Sequence, residues 1–223
     1  GDGNAADITH AGIAGSGETV DATRPTIDSI VRQTPASIYT NADSVVFRIT
    51  FSEDVANVDT GDFNAFGTTG DVTGVSGSGA VYDLTVSGGD MAGLDNSVSI
   101  IFDGAQNIED TAGNALTNTT PTGSNQAYFI DNTAPSGYSV SFDQDPVGAA
   151  DAASASFSFA GGEASATYSY TITSSGGAGS VSDSGTLSTV TDTISGIDVS
   201  GLPDGTLTLS VVLTDPVGNA APA

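Results

Sequence analysis

The chain has 223 residues with 27 acidic and only three basic side chains, which gives a formal net charge of −24. This balance excludes nucleic acid as a partner, because phosphate contacts need a basic surface, and no apolar run is long enough to predict insertion into a membrane. Cysteine is absent, so no disulfide supports the fold, a usage more typical of large bacterial surface proteins than of animal ectodomains.

So many carboxylates repel one another and destabilise a compact state unless something screens them. High salt or bound divalent cations would both do this. The alternative is that the acidity only keeps the protein soluble.

An internal repeat organises the chain. The triplet Gly-Asn-Ala occurs at residues 3–5, 113–115 and 218–220, with spacings of 110 and 105 positions. With the first two copies aligned, Asp21 falls on Asp131, and the following Thr and Pro residues of both junctions also coincide. The repeat divides the chain into a tail (1–20) that ends a preceding repeat or forms a linker, a first domain (21–132) and a second domain (133–223) that lacks its last strand.

Short strands with regular turn signals fill both domains, and no window has convincing helical periodicity. About seven strands per roughly 100 residues predict an all-β fold of tandem immunoglobulin-like Greek-key β-sandwich domains. In domain 1 the predicted strands are 27–32, 44–51, 62–66, 71–75, 80–86, 97–102 and 126–130. In domain 2 they are 138–142, 153–159, 166–173, 180–184, 189–195 and 206–214.

The alternation of apolar residues in three strands of domain 1 predicts their inward faces. Each fully buried aliphatic or aromatic side chain stabilises the fold by roughly 1.5–3 kcal/mol. The predicted core residues are Val45, Phe47, Ile49, Phe51, Tyr82, Leu84, Val86, Val98, Ile100 and Phe102.

Loops at one pole of each predicted sandwich carry carboxylates and amides. Oxygen ligands without His or Cys favour Ca²⁺, which takes about 6–8 oxygens in flexible geometry. Alternatively, the Asp and Asn residues only make turns; the repeat, the junction acids and the charge excess favour the cation. The candidate metal ligands are Asp21, Glu53, Asp103, Asp110 and Asn114 for the first site, and Asp131 from the junction with Glu163, Asp215 and Asn219 of domain 2 for the second.

No catalytic set is visible. His10 is the only histidine and lies in the tail, so a catalytic triad is improbable, and acidic pairs are too common here to nominate a glycosidase site. We therefore expect neither enzymatic activity nor an organic cofactor.

Three stretches carry a family resemblance: 110–115 (Asp-x-x-Gly-Asn-Ala), 130–135 (Ile-Asp-Asn-Thr-Ala-Pro) and 39–63. They resemble the bacterial immunoglobulin-like repeats of giant repeats-in-toxin adhesins. The resemblance implies a secreted stalk on the surface of a Gram-negative bacterium, with Ca²⁺ at the domain junctions and the neighbouring repeats of the same chain as partners. The chain departs from this pattern at Arg24, because the corresponding residue of the second junction is the small Ala134.

Two functions remain open from the sequence. The first is a Ca²⁺-stiffened extender that projects a distal ligand-binding region. The second is an adhesin module that itself binds a sugar or a peptide, although no aromatic platform for a sugar is evident. The missing last strand adds the hypothesis of strand exchange, in which the tail of one fragment pairs with domain 2 of another.

Overall fold

The computed structural model describes residues 20–222, so the predicted tail lies outside the described residues except for Val20. Within this range all regular structure is β, apart from two single-turn 3-10 helices, Thr60–Asp62 and Met91–Gly93. The all-β prediction is confirmed. None of the described segments is a helix long and apolar enough to cross a membrane.

Domain 1 is a sandwich of two four-stranded sheets. One has the order β1-β3-β7-β6 and the other β2-β10-β8-β5, while β4 and β9 form a small separate ribbon. The strands are β1 (Ile27–Thr34), β2 (Tyr39–Thr40), β3 (Ser44–Phe51), β4 (Val55–Ala56), β5 (Phe63–Phe66), β6 (Asp71–Ser78), β7 (Val81–Ser87), β8 (Asp95–Phe102), β9 (Glu109–Asp110) and β10 (Tyr128–Asp131).

Strand β3 shows why the sequence pattern predicts the core. Val45, Phe47, Ile49 and Phe51, at alternate positions, are buried, and the residues between them, of which Val46 is apolar, are only partly buried, as a strand with one face on a core requires. The predicted core of domain 1 is confirmed, except that Phe102 is only partly buried. Phe102 lies near the end of the sheet, where its ring packs against Phe63 with centroids 5.0 Å apart.

Tyr128 on β10 ties the two sheets of domain 1 together. Its side chain is fully buried, and its ring packs edge-on against Phe47 with centroids 4.9 Å apart. Its hydroxyl lies 2.8 Å from the carbonyl oxygen of Pro35 and 2.7 Å from that of Val46. The carbonyl of Pro35 belongs to the segment in which the chain passes from β1 to β2.

We expect Tyr128→Phe to lower the free energy of unfolding by about 1–2 kcal/mol, because it removes the hydroxyl that donates to one of these carbonyl groups and accepts from the backbone N–H of Gln33. Urea unfolding measures this difference. Tyr39→Phe is the matched control, since the Tyr39 side chain is 58% exposed and its substitution should change stability by less than about 0.5 kcal/mol. Equal stability of Tyr128→Phe and the wild type would contradict the proposed anchoring.

Domain 2 is also a sandwich, with sheets of order β11-β12-β15 and β14-β13-β16-β17. Its core is a separate hydrophobic cluster built around Phe157, Phe159 and Ile172. The strands are β11 (Ser139–Phe142), β12 (Ala155–Ala160), β13 (Thr167–Ser174), β14 (Ser180–Thr186), β15 (Thr193–Ile197), β16 (Leu207–Thr214) and β17 (Ala220–Pro222).

The described part of domain 2 ends with a short strand, β17, which the sequence pattern did not predict. Strand β17 pairs antiparallel with the end of β16, with Ala220 opposite Thr214. It starts directly after a tight turn, whereas in domain 1 the chain makes a long excursion between the corresponding turn and β10. The absence of a strand that matches β10 in domain 2 stays a prediction.

The fourth strand is placed differently in the two domains. In domain 1, β6 pairs with β7, and in domain 2 the corresponding strand β14 pairs with β13 in the opposite sheet. The two sandwiches thus differ in strand order, although both keep the turns that carry the candidate site.

Candidate metal centre

Both domains contain the same five-residue turn, Asp-x-x-Gly-Asn. Asp110 and Asn114 bound it in domain 1, and Asp215 and Asn219 bound it in domain 2. In each turn the backbone N–H of the Asp donates to the carbonyl of the Asn over 3.1 Å. The glycine before each Asn has a positive φ, 86° in domain 1 and 106° in domain 2, which glycine adopts without strain. The repeated motif is therefore a closed structural turn.

The carboxylate of Asp110 organises the turn in domain 1. Its Oδ1 accepts from the backbone N–H groups of Ala112 and Asn114, each over 2.8 Å, and its Oδ2 accepts from Nδ2 of Asn114 over 2.8 Å. Desolvation opposes the ionisation of Asp110, but hydrogen bonds from Asn114 and the turn backbone together hold its pKa below the ordinary value. Asp110 thus makes the turn, as the simpler interpretation of the sequence expects.

The carboxylate of Asp215 organises the corresponding turn in domain 2, where Asp215 is only 4% exposed. Its Oδ1 accepts from the backbone N–H groups of Val217, Gly218 and Asn219 over 2.7–2.9 Å, and its Oδ2 accepts from Nδ2 of Asn219 over 2.7 Å. The two turns therefore share their internal hydrogen bonding as well as their sequence.

Each turn also holds the backbone of the junction that enters its domain. Nδ2 of Asn114 donates to the carbonyl of Asp21 over 3.2 Å, and Nδ2 of Asn219 donates to the carbonyl of Asp131 over 2.8 Å. The carboxylates of both junction residues accept the backbone N–H two positions further on. The repeat thus places each junction aspartate beside its turn in the same way.

Three of the predicted ligands meet at the first junction. One carboxylate oxygen from each of Asp21, Glu53 and Asp110 lies within 4.8 Å of the others. Burial, and then the negative charges of Asp21 and Asp110, raise the pKa of Glu53 above its ordinary value. The one ion pair within residues 20–222 joins Arg48 to Asp83 elsewhere, so no described basic side chain pairs with this group.

The second junction repeats this arrangement more loosely. Burial, and then the charges of Asp215 and Asp131, raise the pKa of Glu163. Among the described residues, the grouping within 4.8 Å is found at the first junction. Asp131 and Glu163 line a cleft of about 580 Å³ between the domains, with Tyr39 and Pro216 among its apolar walls.

Asp103 is not brought into either group. Its Oδ1 accepts from the backbone N–H of Ala105 over 2.8 Å and its Oδ2 from Nδ2 of Asn64 over 2.9 Å, and these two hydrogen bonds lower its pKa. Asp103 orders the loop after β8. Its position in the same segment as Asp110, between β8 and β10, gave no sign of this separate role.

Two residues that contribute to the second junction were missed in the sequence. Asn41 donates from Nδ2 to Oδ1 of Asn219 over 3.1 Å, which is a direct contact between the domains. Asp95 lies opposite Asp131 in the β8–β10 pairing, and it accepts from the N–H of Asn132 over 2.7 Å and from the hydroxyl of Thr133. Only the strand register, which the sequence does not display, brings Asp95 to the junction.

The hydrogen bonds from Thr133 and then Asn132 hold the pKa of Asp95 below its ordinary value. For a carboxyl group with a lowered pKa in the folded state, the stabilisation is present above its ordinary pKa and is lost as the pH falls through the lowered one. We expect Asp95→Asn to reduce the loss of stability that the wild type undergoes as the pH falls below the ordinary pKa of an aspartate. Melting temperatures measured across this pH range in chelator test it, and parallel curves for variant and wild type would refute it.

No family model matches the chain, and no curated protein matches it. The chain is similar to a crystal structure of a tetra-tandem repeat in the extending region of a large adhesion protein. The two are 21% identical, the match covers 89% of this chain and 48% of that one, and the TM-score is 0.37. The chain thus spans about half the length of that structure, and a likeness of this degree does not transfer a function.

Proposed function

We propose that the chain is a segment of a bacterial surface stalk, in which cations bound at the junctions stiffen a row of β-sandwich domains. The observation that carries this proposal is the convergence of Asp21, Glu53 and Asp110 within 4.8 Å. These three side chains come from the junction, the loop after β3 and the turn after β9. An ion bound by them would connect the junction to the body of domain 1.

The donor set fits Ca²⁺. The converging groups are carboxylates, which a hard cation with oxygen ligands prefers. Burial, and then the negative charges of Asp21 and Asp110, raise the pKa of Glu53, and a cation would neutralise those charges. We assign Asp21, Glu53 and Asp110 as ligands at the first junction, and Asp131, Glu163 and Asp215 at the second. Asn114 and Asn219 position the junction backbone, and Asp103 is left out because it lies outside the converging group.

The strand order supports an immunoglobulin-like assignment. The arrangement β1-β3-β7-β6 against β10-β8-β5 matches the ABED and CFG sheets of a constant-type immunoglobulin sandwich. In this proposal the partners are neighbouring repeats, the location is the exterior of a Gram-negative cell, and the chain performs no catalysis. The absence of cysteine and the charge of −24 are consistent with an extracellular site rich in Ca²⁺.

Small-angle X-ray scattering with Ca²⁺ and with chelator tests the stalk. We expect a longer maximum dimension and a narrower distribution of shapes in Ca²⁺, because an ion at each junction removes bending freedom. Identical profiles in both conditions would contradict a cation-stiffened stalk.

Strand exchange remains a separate proposal. Within the described residues β17 pairs with 212–214 of β16, and the proposal adds an extended segment beside β16. Residues 1–20 of a second fragment would supply it. Light scattering during gel filtration should then show dimers that disappear when residues 1–20 are deleted, and monomers at high concentration would exclude the exchange.

A further inference from the structure

Domain 1 exposes large apolar side chains on one sheet face. Tyr39, Phe66, Phe129 and Ile101 are 58%, 63%, 42% and 45% exposed. They are contributed by β2, β5, β10 and β8, which are the four strands of a single sheet. Contiguous exposed apolar surface on a soluble protein marks an interaction site more often than single exposed residues do.

The strand register arranges these side chains around a polar floor. Tyr39, Phe129 and Ser97 are paired across β2, β10 and β8, and the rings of Tyr39 and Phe129 have centroids 5.6 Å apart with planes tilted by 32°. On the other side of β8, Phe66 lies opposite Ser99. Two aromatic groups therefore flank a strip of small hydroxyl side chains.

The corresponding outer face of domain 2 is built differently. On β13, β14 and β16 its outward positions carry hydroxyl groups and no aromatic ring, with Val212 as the large apolar exception. The aromatic surface is therefore particular to domain 1 and does not follow from a general tendency of exposed strand positions. These hydroxyl residues are Thr167, Ser169, Thr171, Thr173, Ser180, Ser182, Ser184, Thr186, Thr208, Ser210 and Thr214.

The size of the surface restricts its occupant. Across the sheet, four strands about 4.8 Å apart give a width of roughly 14 Å. Along the strands, the four residue steps from Ser97 to Ile101, at about 3.4 Å each, give a length of roughly 14 Å, so the surface covers about 200 Å². A stable protein–protein interface needs about 800 Å² on each partner. The surface is thus too small for a second copy or another folded protein, and it suits a ligand of a few rings.

The charge of the surface restricts the occupant further. The centre carries no charged side chain, and at its ends lie hydrogen-bond acceptors, the Asn64–Asp103 pair at one end and Asp95 at the other. A second copy with a net charge of −24 would be repelled, and so would any polyanion. This surface combines aromatic rings, hydroxyl groups and peripheral carboxylates, and it has no basic residue. An uncharged polyol is the ligand that complements such groups.

We infer that the outer face of β2-β10-β8-β5 binds a neutral carbohydrate chain. The C–H faces of sugar rings pack on Tyr39 and Phe129 on one side and on Phe66 on the other, through apolar and dispersion contacts. Sugar hydroxyl groups donate to the oxygens of Ser97, Ser99 and Asp103. The stalk would then contact glycans along its side, which goes beyond its role as a spacer.

An array of neutral oligosaccharides of glucose, galactose, mannose and N-acetylglucosamine, two to six units long, tests the inference with the whole chain. We expect binding to at least one member, weakened at least about tenfold by Phe66→Ala and by Phe129→Ala. Both positions are exposed, so the variants should fold, which circular dichroism checks. Val212→Ala is the matched control on the outer face of domain 2 and should bind as the wild type does.

Absence of binding to every member of the array would overturn the inference, as would binding that survives both Phe substitutions. Sedimentation over a range of concentrations distinguishes the other occupant. A dimer that is lost in Phe129→Ala would assign the surface to self-association and also overturn the carbohydrate site. Because the group of Asp21, Glu53 and Asp110 at the first junction shares no residue with this face, Glu53→Gln should leave sugar binding unchanged, so that failure here and failure of the cation proposal are separable.

Discussion

Addition of Ca²⁺ is expected to stabilise the wild-type chain by about 2.7 kcal/mol for each site when its concentration is 100 times the dissociation constant. The Glu53→Gln variant should lose the contribution of the first junction and bind Ca²⁺ there at least about tenfold more weakly, because ligand charge sets the affinity of oxygen sites. Glu163→Gln should do the same at the second junction. Calorimetric titration and thermal melting in Ca²⁺ and in chelator measure both effects.

In chelator, Glu53→Gln should stabilise the fold, whereas in Ca²⁺ it should remove the stabilisation that the bound ion gives. Because the pKa of Glu53 is raised in the folded state, its contribution favours folding below its ordinary pKa and is lost as the pH rises through the raised one. At neutral pH without metal, the ionised side chain therefore destabilises the fold, and Glu53→Gln should melt at a higher temperature than the wild type.

Asp54→Asn is the matched control for these measurements. It removes the same charge one residue away, but Asp54 is outside the converging group. It should keep the wild-type response to Ca²⁺. If Glu53→Gln responds to Ca²⁺ as strongly as Asp54→Asn does, the assignment of the first junction is wrong.

Asp215→Ala should destabilise domain 2 by about 3 kcal/mol. The substitution removes the charged acceptor of three backbone N–H groups and of the Asn219 amide, and a hydrogen bond to a charged group contributes roughly 1.5–3 kcal/mol. Some of these donors will find water, so the loss is smaller than the sum. Urea unfolding in chelator measures it without a contribution from bound metal.

Asp183→Ala serves as the comparison, because Asp183 is exposed and accepts only from the neighbouring backbone N–H of Ser184. It should change the free energy of unfolding by less than about 0.5 kcal/mol. Similar losses in both variants would show that the turn does not depend on its carboxylate.

Much of the fold could be predicted because the period-two alternation of β3 and β8 is a local property of the sequence. Strand β2 was missed, since two residues cannot display a period. Strand β14 follows β13 and precedes β15 in the chain, and its pairing with β13 depends on how these strands pack in the whole domain. Local patterns carry no information on that choice.

The sequence likewise predicted only part of the candidate site. The sequence predicted Asp21, Glu53 and Asp110 near one pole of domain 1, because the junction and two of the loops were expected to meet there, and these three side chains converge. Asp103 was included only because it lies in the same loop. Asp95 was missed since its position beside Asp131 depends on the register between β8 and β10.

The different placement of β6 and β14 has a consequence for how a tandem array reaches its native state. Neighbouring domains with similar sequences tend to misfold together, because a strand of one can replace its counterpart in the next. Here the counterpart strands belong to opposite sheets of their domains. A strand of one domain therefore does not fit the place of its counterpart in the other domain. This difference protects adjacent domains from exchanging strands as they fold during synthesis.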